Sequence, residues 1–344
     1  LSFCLYLFKT YIMKKLLYLF LTVLIVACSG EDSNNQDNND GDNNQSSCNG
    51  DNPVYLADNG VTIKACEDAQ IGDTGNINGF TYTVVSEQQL RDYVNSNYPE
   101  LNRLVTTQVT NMSDLFYDNI SFNQDISNWD VSNVTTMQSM FREAISFNQP
   151  IGDWDVSSVV AMGGMFSGGI DTQQASLIYI DFNQDISNWD VSNVTDMRGM
   201  FFCADAFNQP IGNWDVSNVT DMSYMFREAR FFNQPIGDWD VSSVTDMDTM
   251  FYVATSFNQP LANWDVSNVT VMRQVFSFAT SFNQPIGNWD VSNAYNMEMM
   301  YRGADNFNQD LSSWSVDGVT FCINFSEGAT SWTLPQPNFT NCTP

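Results

Sequence analysis

The chain of 344 residues contains no histidine. That absence removes the commonest general base, the usual zinc ligand and every Ser-His or Cys-His nucleophile pair. Basic residues are scarce, 12 lysines and arginines against 40 aspartates and glutamates, for a formal charge of −28. A chain this acidic repels phosphate backbones, which excludes nucleic acid as a partner and favours divalent cations or cationic surfaces. Neither a glycine-rich phosphate loop nor a nucleophile motif occurs. Long hydrophobic runs are missing as well. The run over residues 16–26, with Thr22 its one polar member, is too short to span a bilayer comfortably.

That short run reads as part of an export leader. Lys14 and Lys15 precede it, and L-I-V-A-C at residues 24–28 follows, a phrase that resembles the lipobox of bacterial lipoproteins. The resemblance implies cleavage before Cys28 and acylation of that cysteine. Residues 1–27 are thus expected to be a signal segment, with Met13 as its start. Residues 28–50 contain no large apolar side chain after the cysteine and read as a solvated tether. Export permits disulfides. Cys48 is expected to pair with Cys66 and Cys322 with Cys342, one pair at each end of what lies between, leaving Cys203 as a free thiol.

What is abundant is repetition. Trp129, Trp154, Trp189, Trp214, Trp239, Trp264, Trp289 and Trp314 follow one another at 25 residues, save for one gap of 35. Around each stands nearly the same phrase, F-N-Q-P-I-G-N-W-D-V-S-N-V-T-D-M-x-x-M-F. A period in this range marks units that cannot bury their apolar faces alone and must stack. Trp214 and Val216 flank Asp215 in the in-out-in alternation of a short strand. Met222, Met225, Phe226 and Ala229 keep helical spacing and predict a short helical turn. The extra ten residues lie between Phe166 and Phe182 and are expected to bulge at a corner. The fold class expected is α/β: a leucine-rich-repeat-like solenoid of about eight 25-residue coils, each a short parallel strand plus a short helical turn. Its repeats occupy residues 109–334, and residues 335–344 form a C-terminal cap. Residues 51–108 form a small α+β cap at the other end, in which Ser86 and Gln89 make a capping box and start a helix near Glu87.

Two columns of polar residues repeat. Asn123, Asn148, Asn183, Asn208, Asn233, Asn258, Asn283 and Asn308 each precede a glutamine. They suit a structural ladder of amides that satisfies backbone groups in the bends, or else an amide surface for a ligand. Asp130, Asp155, Asp190, Asp215, Asp240, Asp265 and Asp290 are expected to face outward at strand spacing. Like charges about 4.8 Å apart repel by about 0.9 kcal/mol in water. Either solvent and nearby serine and asparagine N–H groups relieve this, or calcium or magnesium bridges neighbouring carboxylates. Paired methionines such as Met197/Met200 and Met247/Met250 read as core rather than as soft-metal ligands. Asn-Val-Thr triplets at Asn133, Asn193, Asn218 and Asn268 match glycosylation acceptors and read equally as corner residues.

The repeated phrase resembles the 25–26-residue repeat of BspA-like (DUF285) bacterial surface lipoproteins. The resemblance implies a leucine-rich-repeat-like fold and display at the cell surface or outer membrane; it names no reaction and no ligand. The expected role is non-catalytic. An exported, lipid-anchored protein would present an acidic repeat face to an extracellular protein or glycan, touching membrane only through its anchor, with adhesion as the leading purpose. A glycan-binding accessory role in polysaccharide uptake, a carboxylate hydrolase and a passive coat element are the rival classes.

Overall fold

The structure, a computed structural model, describes Cys48 and residues 51–344. The expected leader, Cys28 and most of the tether lie outside the described residues. Ahead of the repeats, strands β1 (Val54–Leu56) and β2 (Ile63–Ala65) pair antiparallel. Strands β3 (Thr74–Ile77) and β4 (Phe80–Val84) form a second antiparallel pair, and β5 (Leu104–Val105) joins β4 in parallel. Between β4 and β5 runs helix α1 (Glu87–Asn95). Ser86 caps it by accepting the Gln89 N–H, and the Gln89 side chain accepts the Ser86 N–H in return. Leu90 and Val94 on its inner face belong to the same apolar core as the repeats. The first repeat is tied down directly: Trp129 Nε1–H donates to the Leu101 carbonyl at 2.9 Å.

The repeats do not form the expected leucine-rich-repeat-like α/β solenoid. They contain neither the strand expected at Trp-Asp-Val nor the helical turn expected at Met-x-x-Met-Phe. Among the described residues α1 is the one α-helix, and the strands lie in the N-terminal unit and in the insertion. The insertion is a hairpin of β6 (Gly169–Asp171) and β7 (Ser176–Ile178). Each repeat is instead a chain of tight turns. It meets its neighbours through a single-residue parallel bridge just before the first methionine, a line running Asn111, Thr136, Ala161, Asp196, Asp221, Asp246, Val271, Asn296, Phe321.

Backbone hydrogen bonding explains why no helix forms. The N–H groups of Met222, Tyr224, Phe226 and Glu228 donate to the carbonyls of Asp246, Asp248, Met250 and Tyr252 in the following repeat, at 2.8–3.1 Å. The intervening Met225, Arg227 and Ala229 donate three residues back. Tyr224 and Glu228 sit at φ 61°, the left-handed value that the third residue of a type II turn requires. A helix needs every one of those N–H groups for its own ladder, and a segment this short gains little from helix propagation. Donating alternate N–H groups outward satisfies the backbone and fastens the next repeat in one step. The methionine spacing of 0, 3, 4 and 7 serves three-residue turns as well as it serves a helix.

Aromatic rings fill the interior. Phe226 lies 4.0 Å from Phe232 within its repeat and 5.6–5.7 Å from Phe201 and Phe251 on either side, all nearly parallel. The tryptophans form a third column, 0–4% exposed. Each indole N–H donates one repeat back, Trp239 to the Ile211 carbonyl at 3.1 Å for example. At the C-terminal end Trp332 takes the phenylalanine slot and meets Phe307 edge-on at 4.8 Å, which ends the parallel stack. Phe339 likewise meets Phe325 at an angle, and the Cys322–Cys342 disulfide holds that tail in place.

Two irregular positions give predictions. Tyr301 occupies a phenylalanine slot, and its hydroxyl is fully buried with no hydrogen-bond partner. Removing an unsatisfied hydroxyl by Tyr301→Phe is expected to raise stability by about 1–2 kcal/mol, read as a higher urea midpoint; a lower midpoint contradicts this. Val253 is β-branched at φ 58°, a conformation costing about 1–2 kcal/mol outside glycine and asparagine. Val253→Asn is accordingly expected to raise the melting temperature, which differential scanning calorimetry would show.

Candidate functional site

Three longitudinal faces carry polar side chains, and they differ in how much of their bonding capacity the fold consumes. The Asn-Gln column is spent on the stack. Asn208 Oδ1 accepts the Asn233 N–H at 2.9 Å and the Gln234 Nε2–H at 2.9 Å, and the Gln234 amide also reaches the Asn208 carbonyl. The same bonds recur from Asn123 to Asn308, where Thr333 and Leu334 N–H groups close the series. At the other end Gln124 bonds the Tyr98 carbonyl and the Leu101 N–H. Every rung is intramolecular.

The aspartate column faces water, except Asp130. The N-terminal unit buries Asp130, whose Oδ1 lies 3.4 Å from Lys64 Nζ and accepts the Ser132 hydroxyl at 2.7 Å. Asp155, Asp190, Asp215, Asp240, Asp265 and Asp290 are exposed, and each accepts the N–H of the serine two residues on, at 3.0–3.2 Å. At Asp190 the Ser192 hydroxyl donates as well, at 2.6 Å. The serine hydroxyl, then the serine N–H, hold Asp190, Asp215, Asp240 and Asp290 below the ordinary carboxylate range. Repulsion along the column is thus relieved from inside each turn. Among the described residues no group of three His, Cys, Asp or Glu side chains is placed to hold a metal ion.

The third face is built on the turns, and here the repeats stop agreeing. All six basic residues of the repeats are arginines on this face: Arg142, Arg198, Arg227, Arg230, Arg273 and Arg302. All but Arg273 lie against rings that also vary. Arg227 is 4.7 Å from the Tyr252 ring centre and 5.5 Å from that of Phe202, and Arg198 is 5.5 Å from Tyr224. Arg230 lies 4.4 Å over Tyr179, at the base of the insertion hairpin, and grips Asp205 with two bonds of 2.8 Å. Arg273 pairs with Asp248 at 2.7 Å. Sequence reasoning missed this face because it looked for what recurs. The clustering of every repeat arginine between Met and the following Asn-Gln was the available signal.

Among the described residues the cysteines divide cleanly. Cys48–Cys66 and Cys322–Cys342 are disulfides. Cys203 is a buried free thiol, pushed up to about 12 first by burial and then by the Glu228 carboxylate. It is protonated at neutral pH and no nucleophile. Burial also raises Glu228, which accepts the Tyr179 hydroxyl at 3.4 Å, and Tyr179 itself rises to about 12.

The family described as "Mycoplasma protein of unknown function, DUF285" matches residues 86–177, 170–277 and 259–340. Neither a curated protein nor a solved structure matches the chain.

Two outcomes follow for the aspartate face. Excess chelator is expected to leave the melting curve unmoved; a lower melting temperature on chelation contradicts relief by serine alone. Asp190 has its folded-state pKa lowered, so its contribution is complete above the unfolded value near 3.9 and is lost as pH falls through the lower folded value. The stability gap between the native chain and Ser192→Ala is therefore expected to be largest above about pH 4 and to close in more acid urea titrations.

Proposed function

From the premise that the chain belongs to the DUF285 family, a family of unknown function, we propose that it is a non-catalytic contact protein of the cell surface. Its turn face binds an extracellular partner, and the leader with Cys28 exports it and anchors it through lipid. One observation carries the proposal. Two of the three polar faces are uniform and consumed by the fold, whereas the third varies from repeat to repeat and presents arginines on aromatic rings. Variation among duplicated units marks the positions that packing leaves free. Arginine and tyrosine are the side chains enriched where proteins make contacts that carry energy. A succession of such contacts along one face gains strength by avidity. The regular acidic face, expected from sequence to be the display surface, has its carboxylates engaged by serines and serves solubility.

Binding of the purified chain to intact cells and to extracellular matrix would test this. The double substitution Arg227→Ala with Tyr252→Ala removes a stacked pair of the turn face that forms no ion pair among the described residues. It is expected to weaken retention at least about tenfold, the scale of losing one or two desolvated cation–π contacts. Asp215→Asn with Asp265→Asn is expected to change nothing. Retention lost in the aspartate variants and kept in the turn-face variants would reverse the assignment of faces.

A further inference from the structure

The turn face is interrupted at the third repeat. In the slots that hold Gln138 and Ser139 one repeat earlier stand Gly163 and Gly164, and Ser167 replaces Arg142. The fourth repeat adds Gly199, next to Arg198. Four side chains are thereby deleted or shortened in two adjacent layers, which leaves a notch of about 330 Å³. Arg142, Gln138 and Ser139 form one wall; Arg198, Phe202 and Tyr224 form the other. The Asp196 carboxylate lies over the floor, so close that a Cβ on Gly163 would stand 3.0 Å from its Oδ2. This third repeat is also the one that carries the hairpin insertion, so two independent departures from the period coincide.

The chemistry of the walls is specific. Phe202 and Tyr224 are half-buried rings. Asp196 Oδ1 accepts the Arg198 N–H at 2.9 Å, which fixes the carboxylate and the base of the arginine together. Arg142 pairs with Glu143 at 3.3 Å. Arg198 is exposed, lies over Tyr224 and forms no ion pair among the described residues, in a chain where acidic groups outnumber basic ones 40 to 12. An exposed arginine that pairs with no acid among the described residues, Asp246 being near enough only to feel its charge, stands beside two rings and above a glycine floor and suits a ligand that brings its own carboxylate. Rings accept the flat C–H face of a pyranose, while a side-chain amide, a hydroxyl and a carboxylate match its hydroxyl groups. A planar guanidinium matches a carboxylate in two parallel hydrogen bonds.

We propose that this notch binds a hexuronate unit within an extracellular polysaccharide, with Arg198 on the sugar carboxylate and Tyr224 and Phe202 against the ring. The assignment rests on the turn face being the contact surface and names the partner class for one part of it.

Calorimetric titration of the full chain with tetramers of galacturonate, mannuronate and glucuronate–N-acetylglucosamine would decide the matter, each also tried with its carboxyls methyl-esterified. At least one acid form is expected to bind, and its ester at least about tenfold more weakly. Arg198→Gln is expected to cost a similar factor while leaving the melting temperature unchanged, and Asp240→Asn in the aspartate column to cost nothing. Failure of all three acids to bind, equal binding of the esters, or full affinity in Arg198→Gln would overturn the proposal. If cell binding still disappears with Arg227→Ala and Tyr252→Ala, only the notch assignment falls; if it persists, the turn face falls with it.

Discussion

Everything in this protein depends on where alternate backbone N–H groups go. In each repeat except the third, where only Gly164 does so, the residues two and six places after the first methionine (or after Cys322 in the last) adopt left-handed φ, as Tyr224 and Glu228 do. That geometry turns four N–H groups outward to the carbonyls of the next repeat. A buried N–H without a partner costs on the order of 1–3 kcal/mol, so a repeat without a neighbour is not viable. The stack is compulsory, and its two ends must be closed. The N-terminal unit closes one through Trp129 and Gln124; Trp332, Phe339 and the Cys322–Cys342 disulfide close the other.

The side-chain columns then divide by what the backbone leaves for them. Phenylalanine and tryptophan rings fill the space between layers, and the indole N–H adds one more bond to the preceding repeat. Asparagine and glutamine occupy the bend and bond only along the stack. Aspartate and serine close the turn after tryptophan. These positions tolerate little change, which is why the repeats agree there. The side chains of the left-handed turns belong to none of these columns, and in them the repeats diverge.

Much of the packing was legible in sequence. Periodic tryptophans and the invariant Asn-Gln pair announced stacked units with an amide ladder, and Ser86 with Gln89 announced α1. The local backbone was not legible. Met222, Met225, Phe226 and Ala229 have a spacing that helices and successive three-residue turns share, and sequence alone does not show that Tyr224 and Glu228 are left-handed. Nor does a residue such as Val253 advertise that conformation, since β-branched side chains disfavour it. Pairing was expected at Trp-Asp-Val because its exposure alternates, and that alternation is real. The inter-repeat bridge nevertheless lies at Asp221 and its equivalents, where the chain on both sides is free to donate. The candidate binding face escaped notice because a consensus discards the positions at which Arg198, Gly199 and Tyr224 differ from their counterparts.

Scalar coupling measured across hydrogen bonds by nuclear magnetic resonance tests the central claim most directly. The amide nitrogen of Phe226 should couple to the carbonyl carbon of Met250, one repeat ahead. Coupling of that nitrogen to the carbonyl of Met222, four residues back in its own repeat, would mean that a helix forms there and that the repeats are not joined through their turns.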